Sequence, residues 1–294
     1  MRILITGATG FVGSNLARYF NSLDHQVTIT IRENSSLKNI EDIKEDISYI
    51  YYDGTIKSLK DGLNENKVDY VVHLASLFIA EHKETDVDNL IQSNILFGTH
   101  LLEAMRLCNV KKIINTGTSW QYFHKESYNP VSLYAATKQS FSNILKYYVE
   151  AEYFSAIDLI LFDSYGENDT RGKLINLLNQ FAEENRELDM SEGEQRLFFV
   201  HIEDICSAYK QALIHLDTIR CNYSEYVIRG NKDYSLKELI QIYEECSNKK
   251  VLINWGKRSY RRREVMEPYY GGTILPSWTC KIDLKQGLER LYKK

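Results

Sequence analysis

The sequence has little that would cross-link the chain or interrupt its helices. It is 294 residues long and contains five cysteines and three prolines. The cysteines are scattered, odd in number and without a Cys-x-x-Cys pair, so neither a disulfide framework nor a zinc site is expected. We therefore predict no metal site and a reducing, cytoplasmic environment, and the few prolines permit long helices.

Long apolar runs and an excess of basic residues are also missing. No run of about 18 apolar residues occurs, so we expect no membrane span. The first apolar run turns into a glycine-rich segment too early for a signal peptide. The formal net charge is −4 at pH 7, which gives no indication of nucleic-acid or membrane binding. With 44% hydrophobic and 26% charged residues, the composition is that of a globular protein rather than a disordered chain.

Short apolar runs alternate with amphipathic stretches through the first half of the chain. The runs predict six strands, at residues 2–6, 26–31, 47–51, 69–74, 112–115 and 156–162. The amphipathic stretches predict helices at 12–22, 90–107 and 133–152. Strands that alternate with helices form right-handed βαβ units and a parallel sheet with both faces covered. We therefore predict an α/β fold with a Rossmann-like, doubly wound sheet.

The alternation becomes looser in the second half. Beyond about residue 172, helices are predicted at 173–184, 202–215 and 236–246, and strands at 196–200 and 225–228. No Ser/Gly-rich linker separates the halves, so the second part is expected to pack as a smaller α/β lobe. We predict a Rossmann domain at 1–165 that carries the cofactor and catalytic residues, and a substrate-binding lobe at 166–294. The segments near 196–228 are candidates for a return to the main domain.

A glycine-rich turn follows the first predicted strand and opens the first helix. It reads Thr6-Gly7-Ala8-Thr9-Gly10-Phe11-Val12-Gly13. Small residues let the backbone approach a pyrophosphate, and a helix N-terminus offers free N–H groups and a positive potential. The turn therefore predicts dinucleotide binding, and a purely structural tight turn is the alternative. The predicted cofactor contacts in this turn are Gly7, Thr9, Gly10, Phe11, Val12 and Gly13.

The end of the second predicted strand decides which dinucleotide is expected. An acidic residue there binds the ribose hydroxyls of NAD and repels a 2′-phosphate. This chain has Ile31 followed by Arg32 instead, and a guanidinium suits a phosphate monoester. We therefore favour NADP(H) over NAD(H). The alternative is that Arg32 is a solvated strand-end charge, with Glu33 beside it partly offsetting the field.

A tyrosine and a lysine, Tyr134 and Lys138, share one face of the third predicted helix. A phenol has an ordinary pKa near 10, and a nearby ammonium stabilises its ionised form. Upstream, the fifth predicted strand leads into a turn with Thr118 and Ser119, where a hydroxyl can bond a substrate oxygen. A Tyr-x-x-x-Lys spacing is expected by chance in a chain with 21 tyrosines. The pair therefore indicates a catalytic site only in combination with this hydroxyl-rich turn.

The order of glycine turn, hydroxyl turn and Tyr-x-x-x-Lys resembles that of the extended short-chain dehydrogenase/reductases, over nearly the whole chain. The resemblance implies that Thr118 orients the substrate, that Tyr134 is the acid/base and that Lys138 is its electrostatic partner. It also implies a homodimer formed through the two long helices of the first half. The further cofactor positions that it implies are Asp53, Gly54, Leu74, Ala75, Ser76, Tyr134 and Lys138.

Two of the implied positions have a second interpretation. Asp53 sits where the family contacts the adenine, but a turn aspartate is the alternative. Asn94 matches a polar family residue on the helix predicted at 90–107, and we expect it to be structural rather than catalytic.

Several segments of the second half resemble the family's sugar-nucleotide-binding signatures. Asp163 replaces the asparagine of the family's Asn-x-Tyr-Gly, which puts that sugar-nucleotide contact in doubt. Arg196 matches an arginine that grips the diphosphate, and Arg263 is the favoured phosphate contact in the cluster Arg261-Arg262-Arg263. Lys173 is a phosphate candidate or a solvated charge. The substrate implied is a nucleotide sugar, and the predicted contacts are Thr118, Ser119, Asp163, Lys173, Arg196 and Arg263.

Three chemistries compete within this resemblance. A 4,6-dehydratase carries Asp-Glu directly after the catalytic threonine, whereas this chain has Ser119 and Trp120, so dehydration is not expected. An epimerase keeps NAD bound and returns the hydride within one turnover. A reductase consumes NADPH, and the Ile31-Arg32 strand end favours it. The short interval from Thr118 to the tyrosine resembles the CDP-abequose and paratose synthase branch.

We therefore expect NADPH-dependent reduction of the 4-keto group of a nucleotide-linked 4-keto-6-deoxy sugar. The resemblance implies a place in deoxysugar and surface-polysaccharide biosynthesis. An NAD-dependent epimerase is the alternative. A non-catalytic dinucleotide-binding protein is a third class, and the intact tyrosine–lysine pair is evidence against it.

Overall fold

Seven parallel strands form the central sheet of this computed structural model, which describes residues 1–152, 154–219 and 222–293. The strands are β1 (Arg2–Thr6), β2 (Gln26–Ile31), β3 (Ser48–Tyr51), β4 (Tyr70–His73), β5 (Lys112–Thr118), β6 (Ser155–Leu161) and β10 (Tyr223–Ile228). Their spatial order is β3-β2-β1-β4-β5-β6-β10. The order reverses between β1 and β4, and at such a switch point the ends of two strands diverge and leave a crevice. The predicted Rossmann-like sheet is confirmed.

Side chains along β1 alternate between the two faces of the sheet. Ile3 and Ile5 join one buried cluster, Leu4 joins the other, and all three are fully buried. Helices α1 (Phe11–Asn21) and α7 (Ile202–Leu216) cover the Ile3 face. The Leu4 face is covered by α2 (Ile56–Glu65), α4 (Phe97–Leu107) and α5 (Leu133–Glu152). Strands buried on both faces explain the continuous Ile- and Val-rich runs of the sequence.

The second half builds a smaller α/β lobe around its own core. Strands β7 (Asp163–Tyr165), β9 (Arg196–His201) and β11 (Asp233–Ser235) form one sheet, and β8 (Glu187–Asp189) pairs with β12 (Leu252–Asn254). The helices of the lobe are α6 (Leu174–Glu183), α8 (Leu236–Ser247) and α9 (Leu284–Tyr292). Apolar side chains from these elements pack together. The chain also crosses back, since α7 and β10 belong to the main sheet layer.

Sequence patterns missed α2, α9 and four three-residue strands. Gly62 lowers the helical propensity of α2, yet no larger residue fits there, because a Cβ would lie 2.5 Å from Ile50 Cγ2. The helix predicted at 90–107 begins earlier, with α3 (Val87–Ile91), and contains a π-helical turn at Gln92–Leu96 before α4. Among the described residues, no helix combines the length and apolar character required to cross a membrane.

Candidate active site

The glycine turn after β1 packs directly against the chain that leaves β4. Gly7 has φ +72°, and a Cβ on it would lie 2.7 Å from the backbone nitrogen of Ala75. A Cβ on Gly13 would lie 2.3 Å from the carbonyl oxygen of Gly7. The side-chain amide of Asn39 donates to the carbonyl of Thr9 at 2.8 Å and fixes the turn from outside. Only glycine therefore permits this tight backbone path. The contact of Asn39 with the turn had no signal in the sequence.

The N-terminus of α1 opens onto this turn. The first helical bond runs from Ser14 N–H to Gly10 O at 2.9 Å, so the preceding N–H groups of Phe11, Val12 and Gly13 lie before the helical ladder. No side chain from the described residues caps this end of the helix. An open, positively polarised helix end next to a glycine cradle fits the pyrophosphate of a dinucleotide.

A buried threonine–histidine contact fixes the segment beside the turn. Thr6 Oγ1 and His73 Nδ1 are 2.8 Å apart, and Ala75 N–H donates to Thr6 Oγ1 at 3.1 Å. Because burial and the nearby Lys138 ammonium hold the pKa of His73 well below its ordinary value, the imidazole is neutral. Leu74, Ala75 and Ser76, three of the predicted cofactor contacts, follow this point and lie at the carboxyl end of β4.

Two predicted cofactor contacts lie at the ends of β2 and β3. Arg32 is exposed, and its N–H donates to Ser35 Oγ at 2.9 Å, which shapes the turn. Asp53 Oδ1 accepts bonds from the N–H and hydroxyl of Thr55, at 2.9 and 2.6 Å, and these bonds lower the pKa of the Asp53 carboxyl. Asp53 therefore does act as a turn aspartate, and its adenine contact stays a prediction, as does that of Gly54.

The predicted catalytic side chains meet where β4, β5 and α5 converge. Tyr134 lies in the first turn of α5 and is buried, which raises the pKa of its phenol to about 12. The side chains of Ser76 and Thr118 face the phenol and act in the opposite direction. One turn later, burial lowers the pKa of Lys138 to about 8. At neutral pH the phenol thus carries its proton, and the ammonium is mostly charged.

Thr118 and Ser119 mark the point where β5 ends. Thr118 Oγ1 accepts from Trp120 N–H at 3.3 Å, and Thr118 N–H donates to the Gln121 side chain at 2.8 Å. These bonds form the cap of a short 3₁₀ turn at Ser119–Gln121. The Thr118 hydroxyl still has its own proton to donate, so it can bind a substrate oxygen next to Tyr134.

Asn94 connects the loop after β4 to α5. Its Oδ1 accepts from Leu77 N–H at 2.6 Å, and its Nδ2 donates to Leu77 O at 3.0 Å and to Thr137 Oγ1 at 2.9 Å. Asn94 lies in the π-helical turn that separates α3 from α4. All of these contacts are internal, so the side chain has a structural role.

An aromatic wall, formed by Phe78 and Trp120, lines the site beside Tyr134. The Phe78 ring lies edge-on to Tyr134, with centroids 5.0 Å apart, and 5.5 Å from Trp120. The Lys173 ammonium lies 3.7 Å from the centroid of Phe78, and the Arg261 guanidinium lies 5.1 Å from that of Trp120. Arg261 is also paired at 2.7 Å with a carboxylate three residues along the chain, so Lys173 is the one of these two cations that suits an anionic ligand. Phe78 lies in a loop, and no sequence pattern had pointed to it.

A group of charges lies around Asp163, the residue that replaces the expected asparagine. Burial raises the pKa of the Asp163 carboxyl, whereas the neighbouring Lys173, Arg171 and Arg261 act in the opposite direction. The Arg171 guanidinium lies 4.3 Å from the centroid of the Phe11 ring and donates to Ser164 O at 2.9 Å. Arg171 therefore joins the lobe to the glycine turn, a role that sequence reasoning missed.

The two predicted diphosphate arginines lie in different surroundings. Arg263 borders a cavity of about 590 Å³, and its guanidinium lies 4.2 Å from the centroid of Phe123. Its Nε is buried without a partner among the described residues. Arg196 instead pairs with Asp233 and, at 3.3 Å, with Glu238. Arg196 does not line that cavity, and its diphosphate contact stays a prediction.

Known proteins share this architecture across the whole chain. The structure superposes on a crystal structure of UDP-glucose 4-epimerase from Stenotrophomonas maltophila with a TM-score of 0.84 and 18% identity, covering 100% of this chain and 97% of that one. For UDP-glucose 4-epimerase from Brucella ovis, the TM-score is 0.85 at 17% identity, covering 97% and 95%. At such identities the likeness establishes the fold.

Sequence relatives extend the comparison. The chain is 30% identical over 271 residues to CDP-abequose synthase from Yersinia pseudotuberculosis, with 92% of each chain covered. It is 26% identical to CDP-abequose synthase from Salmonella muenchen, covering 99% of this chain and 96% of that one. Residues 3–228 match the sequence model of the NAD dependent epimerase/dehydratase family. The resemblance expected from the motifs is confirmed, and the chain belongs to the NAD-dependent epimerase/dehydratase family.

Proposed function

We propose that this protein reduces the 4-keto group of a nucleotide-linked 4-keto-6-deoxy sugar and consumes NADPH. The observation that carries the proposal is the exposed Arg32 at the end of β2, where an NAD-binding Rossmann domain has an acidic residue. A guanidinium there favours a dinucleotide with a 2′-phosphate. A dinucleotide that is released and replaced after each turnover suits a net reduction. It suits an epimerase less well, because there the hydride returns to the same sugar.

The proton for the sugar oxygen comes from Tyr134. When bound, the nicotinamide supplies the hydride that adds to the carbonyl carbon. Tyr134 is protonated at neutral pH and donates its proton to the carbonyl oxygen. The Lys138 ammonium stabilises the phenolate left behind, and the Thr118 hydroxyl holds the carbonyl oxygen in place.

Cations of the lobe provide charge for the diphosphate of the substrate. Lys173 lies close to the aromatic wall, and Arg263 lies in the neighbouring cavity with an unpartnered buried Nε. Lys173 is therefore available to phosphate oxygens, whereas Arg263 borders the cavity but already donates to Asn129 Oδ1. Arg196 becomes available for the same contact only if it leaves Asp233.

The aromatic wall is evidence against dehydration. Removing water from the sugar needs an acid/base group next to the tyrosine, and this chain has Trp120 there, packed against Phe78. The similarity to CDP-abequose synthases agrees with a reductase in deoxysugar and surface-polysaccharide biosynthesis. The epimerase remains the second candidate, because the matching family is described as NAD dependent.

The apolar residues exposed on the long helices support the homodimer that we propose. Ile91, Leu96, Leu107 and Tyr147 are between 40% and 63% exposed, on α3, the π-helical turn, α4 and α5. Such side chains are candidates for burial against a second copy. A monomeric mass by light scattering at micromolar concentration would exclude the dimer.

A direct assay separates the two candidate reactions. The protein is incubated with NADPH and CDP- or dTDP-linked 4-keto-6-deoxyglucose, and loss of nicotinamide absorbance is followed. A reductase consumes one NADPH for each alcohol formed. Interconversion of UDP-glucose and UDP-galactose without added dinucleotide would instead establish the epimerase.

A further inference from the structure

A loop of the lobe, residues 166–173, reaches across to the glycine turn of the dinucleotide site. The contact is made by Arg171, whose guanidinium lies 4.3 Å from the centroid of the Phe11 ring. Phe11 is the first residue of α1, and its backbone N–H lies at the open end of that helix, before the helical ladder begins. A side chain from the second half of the chain therefore packs on the residue at which the pyrophosphate is expected to bind.

Oxygen atoms of the lobe hold the guanidinium of Arg171. Its Nε donates to Asp169 Oδ1 and its Nη2 donates to Asp169 Oδ2, both at 2.7 Å. Nη2 also donates to Ser164 O at 2.9 Å. The Asp169 side chain is 5% exposed, so this two-bonded ion pair is shielded from solvent, and its fork geometry orients the planar group. The position of Arg171 against Phe11 is therefore set by the lobe.

The main chain of the loop is fixed as well. The side-chain amide of Asn176, on α6, donates to the carbonyls of Asp169 and Arg171 at 2.6 and 2.9 Å. Gly166, at the start of the loop, has φ +148°, and a Cβ on it would lie 2.4 Å from Ile202 Cγ2. The loop is thus bonded to α6 and packed against the first residue of α7. A shift of the loop would carry Arg171 with it.

The ring of Phe11 passes this restraint to the helix end. It is 5% exposed and packs in the buried cluster on the Ile3 face of the main sheet. No side chain from the described residues caps this end of α1, so backbone bonds and the packing of Phe11 hold its N–H groups in position. Donors that are already in place bind a ligand more tightly, because less freedom is lost on binding.

We propose that Arg171 is a positioning residue, which holds the N-terminus of α1 through the Phe11 ring in the geometry that binds the dinucleotide pyrophosphate. Retention of the dinucleotide then depends on the loop that leads to Lys173, whose N–H donates to Arg171 O at 2.7 Å. The inference rests on the proposed function only in that the glycine turn holds a dinucleotide. It does not depend on the 2′-phosphate or on which sugar is reduced.

The test is the rate at which the dinucleotide leaves the protein, because it needs no sugar substrate. Bound NADPH or NADH is displaced by excess NADP⁺ or NAD⁺, and the loss of its fluorescence is followed by stopped flow. Arg171→Met keeps an apolar chain over the ring and removes the cation. We expect release to accelerate by about 5- to 30-fold, the effect of losing a partly buried cation–π contact. The factor should be the same for NADPH and NADH, because both carry the pyrophosphate.

The lobe supplies a matched control in Arg186. Its guanidinium lies 4.7 Å from the centroid of Phe181, and its Nη1 pairs at 2.6 Å with Glu184, two residues earlier. Arg186→Met therefore removes the same two kinds of contact within the lobe, without touching Phe11, and should leave the release rate unchanged. Equal acceleration in both variants would show a general effect of loosening the lobe and would overturn the proposal.

A double-mutant cycle separates positioning through Phe11 from a direct phosphate contact. Phe11→Leu removes the ring, so it should accelerate release by a similar factor, and adding Arg171→Met should then cause no further acceleration. Additive effects, or an effect confined to NADPH, would mean that Arg171 touches the dinucleotide itself, and would overturn the proposal. If Arg171→Met folds poorly, Phe11→Leu is measured by itself, and an unchanged release rate would be equally decisive against the proposal.

The outcomes also separate this inference from the proposed function. Tighter binding of NADH than of NADPH, with the effect of Arg171→Met intact, would count against the proposed function alone. Unchanged release from a folded Arg171→Met variant, in a protein that prefers NADPH, would overturn the inference alone.

Discussion

The phenol ring of Tyr134 meets the ring of Phe78 edge-on, with centroids 5.0 Å apart and planes inclined by 76°. The Lys173 ammonium lies 3.7 Å from the centroid of the same Phe78 ring. The aromatic side chain thus separates the proton donor from a cation that suits a phosphate. This arrangement keeps Tyr134 in apolar surroundings, in which its neutral form is favoured.

Replacing Tyr134 by Phe removes the proton donor and leaves the ring packing intact. We expect turnover to fall by about 10²- to 10⁴-fold, which is the range for loss of a general acid. NADPH binding should persist, because Lys138 and the glycine turn are unchanged. Single-turnover kinetics and fluorescence titration measure the two quantities. Near wild-type turnover would remove Tyr134 from the reaction.

Gly7→Ala should disrupt the cofactor turn. The added Cβ would lie 2.7 Å from Ala75 N, at a backbone φ of +72° that side chains rarely adopt. We expect a loss of about 1–3 kcal/mol in the free energy of unfolding and much weaker dinucleotide binding. Gly172→Ala is the matched control, since a Cβ there meets no atom of the described residues within 4 Å. If both variants bind NADPH equally well, the turn is not the pyrophosphate site.

Asn94→Ala should destabilise the protein without changing the chemical groups of the site. It removes the partners of Leu77 and Thr137, so buried polar groups are left unsatisfied. We expect a loss of about 1–3 kcal/mol, measured by urea unfolding. Asn64→Ala, on the exposed side of α2, should change stability by less than about 0.5 kcal/mol. Equal effects of the two substitutions would contradict the structural role of Asn94.

Lys173→Ala should weaken the substrate contact selectively. Losing one charge-assisted bond to a phosphate costs about 1.5–3 kcal/mol, so kcat/KM for the nucleotide sugar should fall by about 10- to 150-fold. NADPH binding should not change. Lys57→Ala removes an exposed lysine whose partner is Asp61, and should leave both quantities unaltered. A parallel loss of NADPH affinity in Lys173→Ala would place this lysine at the dinucleotide instead.

The strands were the most predictable part of the fold. β1 and β2 begin and end at the predicted residues, because both are short runs of Ile, Leu, Val and Thr that the sheet buries on both faces. α2 was not predicted because Gly62 disfavours helices. Glycine is required at this position because of the contact with Ile50, which exists only in the folded protein. The π-helical turn at Gln92–Leu96 likewise follows from tertiary bonds of Asn94 that no local pattern encodes.

The candidate site was predictable where motifs carry the chemistry and not where distant residues meet. Thr118 and Tyr134 belong to recognisable motifs, and the structure brings them together. Phe78 lies in a loop without periodicity, so its contact with Tyr134 had no sequence signal. The pairing of Arg196 with Asp233 joins residues 37 positions apart, and a spacing of that kind is not readable from composition or local pattern.

The central claim is that Arg32 selects NADPH, which the reaction then consumes as its reductant. The most direct test first checks the purified protein for retained dinucleotide and then titrates it with NADPH and with NADH. The wild type is compared with Arg32→Ala and with the control Lys38→Ala, which changes an exposed lysine in the same loop. We expect the purified wild-type protein to retain no dinucleotide and to prefer NADPH by at least about tenfold, or about 1.4 kcal/mol. Arg32→Ala should lose this preference, and Lys38→Ala should keep it. Retained NAD, or a preference for NADH in the wild type, would contradict the account and make the epimerase the better interpretation.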